Sequence, residues 1–382
     1  LDSFSSSFKK FEYTVRYSHI TRLNLKINLS NIQHISTAVP AFKHAQKDIA
    51  AFILNMYKPP AGDWEKVERM FDRSEIDTRY SVLDDFSLPP ESWKFFNPHT
   101  SISTEHRMNK YFELALVLAL QAVEKLKHQT DLHNITHLIT VSCTGMAAPG
   151  LDIMLVDELS LPNHVHRLGI NFMGCYAGML ALKQAHTICV TYPDAKVLIV
   201  DVELCTLHFQ QNYTLDNAAS SLLFADGAAA IIVSNGPRGL KIKDFYTELA
   251  IQGLNDMTWS LSSTGFLMTL SGYVPQIIAE HIRPLLDRAL GMGSLTKEEI
   301  THWAIHPGGK KIIQEIEKAL ELKPADTLPS RKVLREYGNM SSVTLFFVLE
   351  EIMNQSVTTG ESIFACAFGP GLTLETMIAE VC

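Results

Sequence analysis

Cysteine is sparse in this chain: six in 382 residues, with no CxxC pair among them. That scarcity argues against a disulfide-stapled scaffold or a zinc module, so no metal is expected, and it favours a reducing, cytoplasmic setting. Positive charge is also short. Lysine and arginine total 33 against 41 acidic residues, a formal charge of -8, so no molecule-wide field is present to hold nucleic acid or anionic lipid. Missing too is an apolar run of the roughly 20 residues that a bilayer crossing needs. The longest, 114–120, is flanked by Glu113, Gln121 and Glu124. The opening LDSFSSSFKK lacks the basic, apolar, small-residue order of a signal peptide, and its first residue is Leu. Such a start reads as a piece of a longer chain.

What is present is ample core material. With 46% hydrophobic and 19% charged residues the chain is globular and long enough for two or three domain-sized units. Residues 1–25, Ser-rich and without a sustained period, read as a linker or arm, and a first strand is expected over 27–36. Helical periodicity marks 42–56, 64–71 and 104–127. Short β-branched apolar runs at 136–142, 167–172, 196–202 and 228–233 predict strands covered on both faces. The second half repeats the rhythm. A helix is expected over 273–290, a capping box from Thr296 to Glu299 starts another, strand 303–305 precedes a helix after Pro307, and a helix over 340–353 leads to strands 362–368 and 372–378. The expectation is a layered α/β protein in two similar halves, 26–236 and 237–382.

Three polar residues stand out by position. Cys175, in Gly174-Cys175-Tyr-Ala-Gly178, falls where an apolar strand gives way to a helix, and the free N–H groups and dipole there predict a lowered thiol pKa. His306, in His306-Pro-Gly-Gly309, follows an apolar strand directly, and Asn339 stands at a helix start. Each alone reads equally well as a buried thiol, a core imidazole or a helix cap. Together they form the set an acyl-thioester site needs: a nucleophilic sulfur, an imidazole to pair with it, and N–H donors for an enolate oxygen.

The segments MGCYAG, WAIHPGG, EYGNMSS, FADGAAA and AFGPGLTLET resemble, in order and interval, the type III polyketide synthases, the chalcone synthase-like family. The likeness runs from about Ile35 to the C-terminus. It implies a thiolase-like αβαβα fold, a homodimer, and Cys175, His306 and Asn339 as nucleophile, thiolate partner and decarboxylation donor. It also implies iterative condensation of malonyl-CoA onto a cysteine-bound starter, then cyclisation, with CoA thioesters as substrates and no cofactor. Lys66, Arg69 and Arg73, on one helical face, match the family's CoA-gripping cations. Phe224 matches its gatekeeper, and Gly369, Pro370 and Gly371 match the loop that shapes the cyclisation cavity.

Departures bear on the product. Met268 stands at a second gatekeeping position that is usually Phe in plant members, and Cys143, Thr144, Cys205 and His208 replace the plant pattern at the cavity wall. Ala148 stands for a methionine that reaches across the dimer. These changes argue against an aromatic starter and for a medium-chain fatty acyl group. The chain also resembles the C-terminal type III domain of slime-mould hybrid synthases of the Steely type, which implies a starter delivered on CoA or on an acyl carrier protein by an upstream fatty-acid-synthase-like body. Two other readings compete. A ketoacyl synthase III-type enzyme performs a single condensation, but HPGG, GNMSS and FGPG argue against it. A non-catalytic carrier-protein docking domain leaves the Cys, His and Asn set unexplained.

Overall fold

The computed structural model describes residues 29–97, 99–293 and 295–382, so the expected arm at 1–25 and the start of the first expected strand lie outside the described residues. Its first half runs β1 (Asn31–Ala38), β2 (Phe42–Ala45), α1 (Gln46–Tyr57), α2 (Ala61–Asp72), β3 (Thr78–Ser81), α3 (Thr104–Leu126), β4 (His137–Ser142), α4 (Leu151–Glu158), β5 (His166–Asn171), α5 (Ala177–Thr191), β6 (Lys196–Leu204), α6 (Leu215–Leu223) and β7 (Asp226–Ser234). The second half runs β8 (Leu240–Leu249), β9 (Met257–Ser262), β10 (Gly265–Leu270), α7 (Val274–Gly293), β11 (Ile300–Ile305), α8 (Lys310–Leu320), α9 (Leu328–Tyr337), α10 (Thr344–Met353), β12 (Ser362–Gly369) and β13 (Thr373–Val381).

Nine strands join in the order β11-β12-β13-β8-β1-β7-β6-β4-β5. Among the described residues the β1 block joins the β8 block through a short pairing, Asn31 with Lys241 and Ile32 with Leu240, extended by the Ile242 N–H, which donates to the Ser30 carbonyl. Pairing within the blocks is alike: β1 and β8 each run antiparallel to β7 and β13, which run antiparallel to β6 and β12, which run parallel to β4 and β11. The first block adds β5 beyond β4, and the second has no counterpart among the described residues.

Strand residues alternate between layers. Along β6, Leu198, Val200, Val202 and Leu204 pack outward with α1 and α3, while Val197 and Ile199 pack inward on α5 and α10. The second block mirrors this: Ala365 and Ala367 of β12 face α5 and α10, and Phe364, Cys366 and Phe368 face α7 and α8. The layers therefore run helix, sheet, helix, sheet, helix, as the resemblance implies. The middle layer explains the small residues of α5. Ala177, Gly178, Ala181 and Ala185 are buried, and a Cβ on Gly178 would meet the Phe346 ring of α10 at 2.8 Å and the Ser342 carbonyl at 2.9 Å.

Local expectations met tertiary limits. Residues 42–45 leave the expected helix to pair with Thr78–Ser81. The capping box at Thr296 forms, but it caps a single 3-10 turn, Lys297–Glu299, because Ile300 already enters the sheet. The helix expected from Met340 starts as a 3-10 turn at Ser341–Val343 and becomes α-helical at Thr344.

Candidate active site

Cys175 lies one residue before the N-cap of α5, after a turn in which Phe172 and Gly174 both take positive φ (61° and 86°). Gly174 is required there, because a Cβ would meet Pro370 Cδ at 2.3 Å. Cys143 holds the turn, its Sγ accepting the Gly174 N–H at 2.9 Å. His306 ends β11 and is fixed through its backbone N–H, which donates to the Cys366 carbonyl at 2.9 Å. Its ring is 1% exposed, and neither ring nitrogen has a hydrogen-bond partner. Asn339 follows Gly338, whose φ of 74° no side chain would tolerate beside Arg79. The Asn339 amide is oriented by its neighbours: Oδ1 accepts the Ser341 N–H at 2.9 Å, and Nδ2 donates to the Gly308 carbonyl at 3.3 Å.

These three side chains converge. Cys175, His306 and Asn339 line one inner cavity with Phe224, Met257 and Met268, and Ser341 lines an adjoining one with Cys175. Phe224 and Asn339 are joined as a β-bridge, so gatekeeper and amide move as a unit. An adjoining cavity on the other side of the sulfur is lined by Cys143, Thr144, Cys205, Trp259, Ser341 and Pro370. Each space is only about 20 Å³, filled by Met257 and Met268 from the β9–β10 hairpin. The hairpin is pinned by the Trp259 indole N–H, which donates to the Cys143 carbonyl at 2.8 Å.

Electrostatics correct one expectation. The thiol of Cys175 is not acidified: burial pushes it up to about 12, the nearby Glu203 carboxylate adds to the rise, and the polar side chains of Ser341 and Asn339 offset only part of it. Burial also pushes His306 down to about 3. Both shifts have one cause, because a dry cavity penalises charge on thiol and imidazole alike. Other expectations also change. His208 does not line either inner cavity; its Nε2–H donates to the Thr144 carbonyl at 2.7 Å, its Nδ1 accepts the Phe266 N–H at 3.1 Å, and its ring stacks on Phe266. Gly369 and Gly371 shape the loop, but only Pro370 of the three reaches the cavity wall.

Lys66, Arg69 and Arg73 of α2 line a larger outer cavity of about 570 Å³. Opposite them stand Lys310 and Lys311 at the start of α8, which the sequence reading passed over although they directly follow His306-Pro-Gly-Gly309. Leu270, Gly308 and Ile312 line both this cavity and the inner one, so the cationic cavity adjoins the one that holds the sulfur. Ser341 was also passed over, since only the three-dimensional turn after Asn339 brings it to Cys175.

A buried cysteine, histidine and asparagine beside a cation-lined cavity, on a five-layered fold of two similar blocks, define a thioester-condensing enzyme of the thiolase-like class. Comparison with known proteins narrows the class. The family models "Chalcone and stilbene synthases, N-terminal domain" and "C-terminal domain" match residues 20–237 and 245–382, and the chain belongs to that family. It is a type III polyketide synthase, an acyltransferase that works on CoA thioesters without a further cofactor. It is 32% identical over 93% of its length to Probable polyketide synthase 1 of Dictyostelium discoideum, of which it spans 12%. It is 29% identical to the alpha-pyrone synthesis polyketide synthase-like Pks18 of Mycobacterium tuberculosis, covering 92% of this chain and 91% of that one. Among solved structures, the C-terminal type III domain of Steely1, a hybrid from Dictyostelium, superposes with a TM-score of 0.85 at 30% identity, covering 92% of this chain and 99% of the other. The 1,3,6,8-tetrahydroxynaphthalene synthase of Streptomyces coelicolor superposes at 0.84 with 25% identity, covering 92% and 99%.

Proposed function

We propose that this chain elongates a medium-chain fatty acyl starter on Cys175 with malonyl units and then cyclises it to an acylpyrone, alkylresorcinol or acylphloroglucinol. The observation that carries the reading is the convergence of sulfur, imidazole and carboxamide on one cavity, whose other walls combine the flexible or aliphatic Met257, Met268, Leu270 and Ile312 with Gly308, Phe224 and Phe368. The Cys175 sulfur passes its proton to His306 and attacks the starter carbonyl, and the CoA thiolate leaves with that proton. Malonyl-CoA then loses carbon dioxide, and the electron pair left behind forms an enolate whose oxygen is held by N–H donors of His306 and Asn339. The enolate carbon attacks the bound thioester, and the Cys175 thiolate departs, ready to take the lengthened chain. Product mass after incubation with a medium-chain acyl-CoA and malonyl-CoA tests this: several added acetate units support it, and a single one favours a ketoacyl synthase III-type reaction.

The cationic mouth, Lys66, Arg69 and Arg73 with Lys310 and Lys311, suits the phosphates of CoA and equally the phosphopantetheine of an acyl carrier protein. Delivery from a carrier within an upstream fatty-acid-synthase-like body of the same chain is our reading of the hybrid relatives. Equal turnover with acyl-CoA and acyl-carrier substrates would remove the reason for it. A homodimer through β5 is supported by that edge strand's exposure and by exposed Met146, Ile153, Leu168 and Met173 around it. No described helix is long and apolar enough to cross a membrane, and six free cysteines suit a cytoplasmic location. Fractionation that finds the protein in a secretory compartment would overturn that assignment.

A further inference from the structure

Behind Cys175 lies a pair of carboxyl groups that the condensation chemistry leaves unused. Asp201 and Glu203, successive inward residues of β6, are both fully buried. The Ser342 hydroxyl sits between them, 2.8 Å from Asp201 Oδ1 and 2.6 Å from Glu203 Oε1. A hydroxyl carries one hydrogen and can donate to only one of these oxygens. Were both carboxyls ionised, the other contact would press lone pairs together, so one carboxyl must itself donate.

The surroundings say which one. Glu203 accepts the Cys143 N–H at 3.0 Å and the Thr144 hydroxyl at 2.8 Å on Oε2, so with Ser342 it has three donors, as a carboxylate needs. Asp201 has Ser342 alone, and its Oδ2 has no partner, a position a neutral acid tolerates and a buried charge does not. The titratable groups facing the pair are Tyr111 from α3, Cys143 after β4, Cys175 before α5 and Cys205 after β6, and none is a cation.

We propose that Asp201 and Glu203 share a single proton, carried on Asp201 and passed through the Ser342 hydroxyl, and that Asp201 is thereby a positioning residue that holds the charge beside Cys175 to one. Burial raises both carboxyls, and repulsion by Glu203 adds to the rise at Asp201, in agreement with that placement. Two charges behind the sulfur would oppose thiolate formation at every cycle. One charge leaves Glu203 free to hold the Cys143–Thr144 wall without blocking it. The role rests on the catalytic reading of Cys175, whereas the proton's location does not.

Two measurements separate these. Infrared spectra of the whole protein should show the carbonyl band of a buried protonated carboxylic acid at neutral pH, lost in Asp201→Asn. Iodoacetamide alkylation of Cys175, followed by peptide mass across pH, should rise about tenfold at fixed pH in Glu203→Gln, as removal of one charge predicts, and change less than about twofold in Asp201→Asn, whose amide mimics the neutral acid. A band that survives Asp201→Asn, or an alkylation rate raised as much by that substitution as by Glu203→Gln, overturns the proposal. If Glu203→Gln does not fold, the infrared comparison still decides where the proton lies. A wild type that shows the band but takes no acyl group on Cys175 from a medium-chain acyl-CoA would count against Cys175 as nucleophile, not against the shared proton.

Discussion

At Cys175 two effects of position oppose each other. A helix N-terminus favours a thiolate by about 0.3–1 kcal/mol, while full burial shifts an ionisable group by as much as 3–5 pKa units, several kcal/mol. Burial wins, which is why the sequence reading of an acidified thiol fails here although the residue itself was legible from its glycine-flanked strand end. Burial depends on Met257 and Met268, residues that close over the sulfur from a hairpin remote in sequence. Asn339 allows a cleaner test. Asn339→Ala removes one of two enolate donors and should lower malonyl-CoA decarboxylation about 10²-fold while leaving acylation of Cys175 intact. Equal loss of both steps would place Asn339 in substrate binding instead.

His208 makes a second residue-scale prediction. Burial lowers its pKa from 6.5 to about 3, so the folded state resists a proton that the unfolded chain accepts. Its contribution is therefore present above pH 6.5 and is lost as pH falls towards 3. The stability difference between the wild type and His208→Gln should shrink below pH 6 by about 1.4 kcal/mol per pH unit. Denaturant melts at pH 7 and pH 5 measure it, and a difference independent of pH would contradict a buried neutral imidazole.

At the scale of elements, β4, β6 and β7 were readable because they are buried and mostly apolar, although β6 carries Asp201 and Glu203 on its inner face; β5, expected to be covered on both faces, is exposed at five of its six residues. Elements whose burial is one-sided were not. The β9–β10 hairpin, which closes the cavity, carries exposed and half-buried residues with no long apolar run. Close packing of α5 on α10 holds Cys175 against Ser341, and Gly178 permits it. Gly178→Ala should lower stability by about 1–3 kcal/mol through overpacking on Phe346. Unchanged thermal unfolding would show that the middle layer can spread.

For the whole molecule, the duplicated block explains where the site must lie. Cys175 follows β5 of one block and His306 follows β11 of the other, at opposite ends of the strand order, yet both line one cavity although the chain separates them widely. The repeat in strand order was only hinted at by element rhythm, because two halves can share topology without sharing residues. β5, paired on one edge only among the described residues, breaks the symmetry of the blocks, and under the proposed dimer Leu168→Lys on it should give a monomer by light scattering. Retention of the dimer would place the interface elsewhere.

The central claim is that Cys175 carries the growing chain. Intact-protein mass spectrometry after brief exposure to a medium-chain acyl-CoA, followed by peptide mapping, should find one acyl group on Cys175, discharged when malonyl-CoA is added. No adduct at Cys175, or the same adduct in Cys175→Ala, would contradict it.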